Sequence, residues 1–233
     1  MPSARSLRVV TFVAPGPESA VDAVLRDRVL PRLLASPGID AAWVGRSGTG
    51  SHHSRVLATT WVEPPSSVDE PRAAGDASGG NAPADIAALA DDALEPFGGA
   101  IVEQVEQVEL AIDARFERPE PARILRVFRG RARTGERDAY VAEARAGMNA
   151  DAEANAGLVA FALGTTGDDD FLTVSAWTGW DEIEAATGGT TRRPDATRNA
   201  RRLAAFAVTH HEILPETPVH LRRDPESPSD AGI

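Results

Sequence analysis

The sequence contains no cysteine and no lysine; all 24 of its basic residues are arginine. Without cysteine there is no disulfide, no thiol nucleophile and no thiolate-bound metal or cluster. Aromatic residues are sparse at 5%, with seven Phe, four Trp and the single Tyr140, so each one stands out. Positive charge is in deficit, 24 Arg against 35 Asp and Glu for a net of −11. That balance argues against a general affinity for nucleic acid or anionic membrane. No run reaches the roughly 18 apolar residues of a membrane span. Met1-Pro2-Ser3-Ala4-Arg5 carries no apolar signal segment, so the expectation is a soluble, cytoplasmic protein with no nucleic-acid or membrane partner. What is present is ordinary for a globular chain: 233 residues, 42% hydrophobic and 25% charged. That length suits one large domain or two of about 100 residues each.

A repeat organises the chain. Arg8-Val-Val-Thr-Phe12 resembles Leu125-Arg-Val-Phe-Arg129, which pairs Phe12 with Phe128, and each run opens a half. A Gly- or Pro-containing turn and a helix-period segment follow each. Then comes a Gly-bounded apolar stretch, Gly38 to Gly45 and Gly157 to Gly164. The next strands, Arg55 to Trp61 and Phe171 to Trp177, both end on tryptophan. A weaker helix and an apolar-polar strand close each half, Val105 to Leu110 and Val208 to Ile213. The order β-α-β-β-α-β, met twice, is that of the ferredoxin-like unit.

The helices follow from period. Tyr140, Ala144 and Met148 fall on one face behind a Thr134 cap, and Val21, Leu25, Val29 and Leu33 do the same in the first half. Pro31 lies inside that pattern and predicts a kink, or a stop and restart, near Asp27 to Leu30. The second helices are expected near Asp85 to Leu94 and Asp181 to Ala186, with one or two turns within Ala196 to Ala205. Residues 63–82 read as an unstructured insert and 215–233 as a Pro-rich tail. The domain expectation is therefore 1–118 as a first, degenerate repeat, 119–214 as a second, and the tail.

Phe171, Thr173, Ser175 and Trp177 alternate with Leu172, Val174 and Ala176, so both faces of this strand are apolar. The aliphatic set is assigned to the helices, and the aromatic set to the opposite sheet face. Leu57, Thr59 and Trp61 repeat the aromatic set in the first half. Two such faces in one chain can cover each other as two subunits do in a symmetric dimer. The predicted fold is α+β: two ferredoxin-like repeats packed as an intramolecular, pseudo-dimeric α/β barrel.

The element order and the phrase Phe171-Leu-Thr-Val-Ser-Ala-Trp-Thr-Gly-Trp-Asp-Glu-Ile-Glu-Ala-Ala-Thr-Gly-Gly resemble the antibiotic biosynthesis monooxygenase (ABM) family of dimeric α/β-barrel proteins. The resemblance covers about 123–214 well and the first half by pattern only. It implies a small, largely aromatic or apolar ligand and, for an enzyme, a monooxygenase acting on a phenol, quinol or polyketide without metal or flavin. It also leaves two alternatives: a non-catalytic ligand-binding or structural barrel, and a haem-binding protein. In the haem-degrading relatives a Trp matching Trp177 lines the pocket, beside an Asn on the first strand and a His on the second helix. Here the strand position holds Phe128 and residues 181–199 contain no His, so two of three positions are missing.

Within that frame His210 and His211 are the candidate general base, because imidazole titrates near neutral pH. One of the two faces each side of its strand, and the inward one is the expected base. Arg126 is the candidate anion contact, and Arg126 and Arg129 fall on opposite faces. An arginine inside the barrel needs a carboxylate partner. Phe128, Phe171, Ser175, Trp177 and Trp61 are the candidate ligand-binding walls; each has plain packing as its alternative. His52-His53, the Asp168 to Asp170 run and Thr190 to Arg193 read as solvated loop residues. A metal site shared by the two histidine pairs has no ligand spacing behind it.

Overall fold

The computed structural model describes residues 5–35, 38–47, 54–62, 95–97, 99–166, 169–189 and 200–214. The expected insert at 63–82, the helix at 85–94, His52-His53, Asp168, Thr190 to Arg193 and the tail lie outside them. The elements are β1 (Arg5–Val13), α1 (Glu18–Val24), a π turn (Leu25–Val29), α2 (Leu30–Ala35), β2 (Ile39–Ser47) and β3 (Ser54–Val62). After a 3₁₀ turn (Glu95–Phe97) come β4 (Ile101–Arg115), β5 (Ile124–Ala132), α3 (Arg137–Ala154), β6 (Leu158–Thr166) and β7 (Asp170–Trp177). The last are α4 (Trp180–Ala186), a 3₁₀ turn (Ala200–Arg202) and β8 (Leu203–Ile213). No described helix is long and apolar enough to cross a membrane.

The strands close into an antiparallel barrel in the order β1-β3-β2-β8-β5-β7-β6-β4. Around the ring the orders β4-β1-β3-β2 and β8-β5-β7-β6 recur, each of them the ferredoxin-like arrangement. The two longest strands make the closure. β4 runs past β1 to pair Glu109–Arg115 with β6, and the end of β8, paired with β5 as far as Glu212, pairs His211–Ile213 with β2 on its other edge. Arg46 and Glu212 tie the shorter seam at 2.9 Å. Both closing strands exceed the lengths read from sequence: β4 extends to Ile101 and Arg115 on either side of the expected run, and β8 begins at Leu203, in an Ala-rich run whose first residues fall in the expected helical turns.

The barrel interior is filled by Leu7, Val9, Trp43, Ala58, Val108, Leu125, Val127, Leu172, Val174 and Ala176, drawn from both halves. The aromatic set points the other way. Phe128 and Phe171 pack under α3 with Tyr140 and Met148, Trp177 packs with Ile183 of α4, and Trp61 and Leu57 pack with α1 and α2. This reverses the sequence-based assignment of faces. An eight-stranded barrel has an interior just wide enough for side chains to fill, and small aliphatic residues suit it. The sheet-helix layer holds Phe128, Phe171, Trp177 and Trp61, while Trp43 is a ring of the interior cluster. With both faces of β7 apolar, alternation identifies two faces without saying which one is inside.

Pro31 acts as expected. Helix α1 stops at Val24, a π turn spans Leu25–Val29, and the chain restarts as α2. The Leu30 N–H donates to the Leu25 carbonyl, one residue further back than in an α-helix. That wider turn accommodates the ring and missing donor of proline. Tyr140, Ala144 and Met148 are buried on one face of α3, as their spacing predicts. Its N-cap is Glu136 rather than Thr134, since Gly135, at φ +77°, places a turn between Thr134 and the helix.

Candidate functional site

On the helix-facing side of the second half, ladder register assembles one row. Arg126 on β5 lies directly opposite Ser175 of β7 on one side and His210 of β8 on the other. Directly paired residues on one face are within about 5 Å at Cα. Trp177 reaches back along its strand, its indole Nε1–H donating to Ser175 Oγ at 2.9 Å. The Arg126 guanidinium lies 5.5 Å from the Phe128 ring centroid. Trp180, the first residue of α4, tilts over His210 with ring centroids 5.2 Å apart. Phe128 stacks on Phe171 at 5.7 Å, and Phe171 stacks on Tyr140 at 4.3 Å. The result is a basic and hydroxylic strip, Arg126, Ser175 and His210, walled by rings.

Trp180 is the member that sequence reasoning missed. It stands in the quoted phrase at the N-terminus of an expected helix, but only the packing of α4 brings it over β8.

The candidates do not all converge. His211 shares no face with Arg126; it is buried at 5% exposure on the inward side, with Nε2 3.1 Å from Thr209 Oγ1. Burial pushes its imidazole down to about 4, and the nearby Arg129 guanidinium and His210 ring add to that. The two histidines therefore cannot share an ion, and the inward one is not the one beside the aromatic walls. Trp61 lies in the first half's own sheet-helix core. It repeats the local motif there: its Nε1 donates to Thr59 Oγ1 at 2.8 Å, and Thr59 pairs with Arg8. Arg8 is thus the positional counterpart of Arg126, and Gln107, which pairs with Arg8, that of His210. By this register Phe12 corresponds to Gly130, which corrects the pairing of Phe12 with Phe128.

Arg129 faces the barrel interior, the reverse of what the aromatic-inward assignment implied for the neighbour of Phe128, and has the carboxylate partner that its location demands. Its Nε and Nη2 donate to Glu106 at 2.8 and 2.5 Å. Beside this pair, at one mouth of the barrel, a cavity of about 700 Å³ opens between β4, β5, β7 and β8.

No protein-family model matches the chain, and no curated protein matches it in sequence. Solved structures do match in fold. A proposed monooxygenase from Fusobacterium nucleatum superposes with a TM-score of 0.62 at 9% identity, over 92% of this chain and 94% of that one. A proposed monooxygenase from Lactobacillus acidophilus gives 0.62 at 7% identity, over 89% and 93%. A chlorite dismutase variant from Candidatus Nitrospira defluvii gives 0.53 at 11%, over 92% of each chain. These likenesses extend over nearly the whole chain and show its fold, an α+β architecture of antiparallel, ferredoxin-like strand order. Fold alone does not specify function.

Proposed function

We propose that the chain is an ABM-like small-molecule-binding barrel made of two repeats, divided near residues 118 and 119, that works as a cofactor-independent monooxygenase. Its substrate class is a phenol, quinol or polyketide bearing a fused aromatic ring, held on the helix face of the second half. The observation that carries this reading is the single row His210–Arg126–Ser175 beneath Trp177, Phe128 and Trp180. His210 accepts the phenolic proton, a step within the reach of a positioned imidazole. Arg126 holds the resulting oxyanion in a site with little water, where a fixed charge has most effect. Ser175 Oγ accepts from Trp177, and its own hydroxyl hydrogen is left to orient the ligand oxygen. The electron-rich ring then reduces O₂. In an anthrone a ring CH₂ becomes C=O, and in a phenol or quinol a ring C–H and a phenolic O–H give way to the two C=O groups of a quinone. In each case one oxygen atom of O₂ is retained and the other leaves as water, so atoms and electrons balance without a reductant. Of the two histidines, His210 is the base, because it alone shares a face with the other groups.

The test is oxygen uptake with a panel of anthrones and hydroquinones. On the substrate that turns over, His210→Ala lowers kcat by at least 100-fold, the size expected for a lost general base. Arg126→Gln lowers it comparably, while His211→Gln leaves it within a few-fold. Turnover unchanged by His210→Ala overturns the assignment. Ligand binding without oxygen uptake makes the chain a binding module. A sharp Soret band on adding hemin, lost in His210→Ala, assigns the face to haem.

A further inference from the structure

The mouth cavity contains none of Arg126, Ser175 and His210; it lies on the Arg129 side of β5 and meets the helix layer only at its rim, through Gly130, Phe171 and Phe206. Its volume, about 700 Å³, lies within the usual range for small-molecule pockets. Val108 and Leu172 form an apolar floor, and Ala205 and Ala207 a low wall of methyl groups. These alanines point inward yet are exposed, so among the described residues no side chain plugs the mouth.

Two arginines two residues apart on β5 enter the same space, each held from one edge by its own carboxylate. Arg129 uses Nε and Nη2 on Glu106, and Arg131 uses Nε and Nη2 on Asp170, at 2.6 and 3.1 Å. Among the described residues neither Nη1 has a hydrogen-bond partner. Glu106 fixes the plane of the half-buried Arg129 guanidinium before any ligand arrives, which lowers the entropy cost of binding, while the exposed Arg131 only leans on Asp170. Guanidinium N–H groups on a rigid fork match a carboxylate or sulfonate.

We infer that the barrel mouth is a second binding site, for a small organic anion whose carboxylate or sulfonate meets Arg129 and Arg131 and whose apolar body lies on Val108 and Leu172. This site does not depend on the helix-face reading. The probe is 8-anilinonaphthalene-1-sulfonate, one sulfonate on an aromatic body, titrated by fluorescence into the full chain. N-phenyl-1-naphthylamine serves as its uncharged counterpart.

One site is expected per chain. Binding of the sulfonate falls at least tenfold in Glu106→Gln/Arg129→Gln, a double change that leaves no orphaned charge, whereas the uncharged probe changes little. Ala207→Trp blocks both probes and, at an exposed position, leaves the thermal midpoint and circular dichroism of the parent. Arg126→Gln leaves sulfonate affinity unchanged. Affinity lost in Arg126→Gln but kept in Ala207→Trp overturns the proposal by placing the probe on the helix face. Sulfonate binding unaffected by the double change, or several weak sites insensitive to Ala207→Trp, overturns it as well.

Discussion

His210 and His211 are neighbours in sequence with opposite surroundings, because strand side chains alternate and the two faces of β8 meet a helix layer and a barrel interior. His211 is stripped of water and sits near a guanidinium, so it is neutral at neutral pH, with a folded value of about 4. An unfolded histidine titrates near 6.5. Between those values the unfolded chain binds the proton that the folded chain refuses. Stability therefore falls as pH drops from about 6.5 toward 4, and below that the penalty is constant. At about 1.4 kcal/mol per tenfold in protonation, the full loss is about 3 kcal/mol. His211→Gln removes this contribution, so the urea midpoint of the variant declines less steeply than that of the parent over that range. Parallel curves would show that His211 is not the buried neutral group.

At the scale of elements, β5 shows how a strand serves two layers. Gly130 sits on its helix-facing side where the Phe171 ring lies: a Cβ there would come within 2.1 Å of that ring. The ring cannot retreat, since Phe128 and Tyr140 stack against it. Gly130→Ala is therefore an overpacking change despite its favourable backbone entropy. It is expected to cost about 2 kcal/mol, within the usual range for a crowded core, read as a lower urea midpoint. A second change, Phe171→Leu, would recover part of that loss; an unaltered midpoint in Gly130→Ala refutes the close approach. The π turn before Pro31 belongs to the same scale. Its position was legible in sequence because the clash of a proline ring with the preceding turn is local and does not wait on tertiary packing.

For the whole molecule, the interior cluster is the decisive feature. Leu7, Val9 and Trp43 from one half meet Leu125, Val127, Leu172 and Val174 from the other, all nearly fully buried. Neither half covers this face by itself, and apolar area left in water is unfavourable by about 25 cal/mol per Å². A fragment spanning 119–214 is therefore expected to self-associate into dimers or larger species, measured by light scattering after size exclusion. A stable monomeric fragment would show that the two halves do not depend on each other. In the full chain both halves should melt in one urea transition, because the closing pairs β4–β6 and β2–β8 run between them.

The sequence by itself determined the succession of strands along the chain, the interruption at Pro31, the buried face of α3 and the alternation that separates Arg126 from Arg129 and His210 from His211. These are local matters of period and steric exclusion, written within a few residues of where they act. Tertiary structure decided which face of each sheet is inside, that Phe128, Phe171 and Trp177 lie under helices, and that Trp180 comes over His210. It also decided that Glu106 reaches Arg129 across 23 residues of sequence. The reason is that two apolar faces on one strand are equivalent until a partner of particular shape covers them. Here the interior takes mostly aliphatic side chains around Trp43, and the helix layer takes Phe128, Phe171, Trp177 and Trp61.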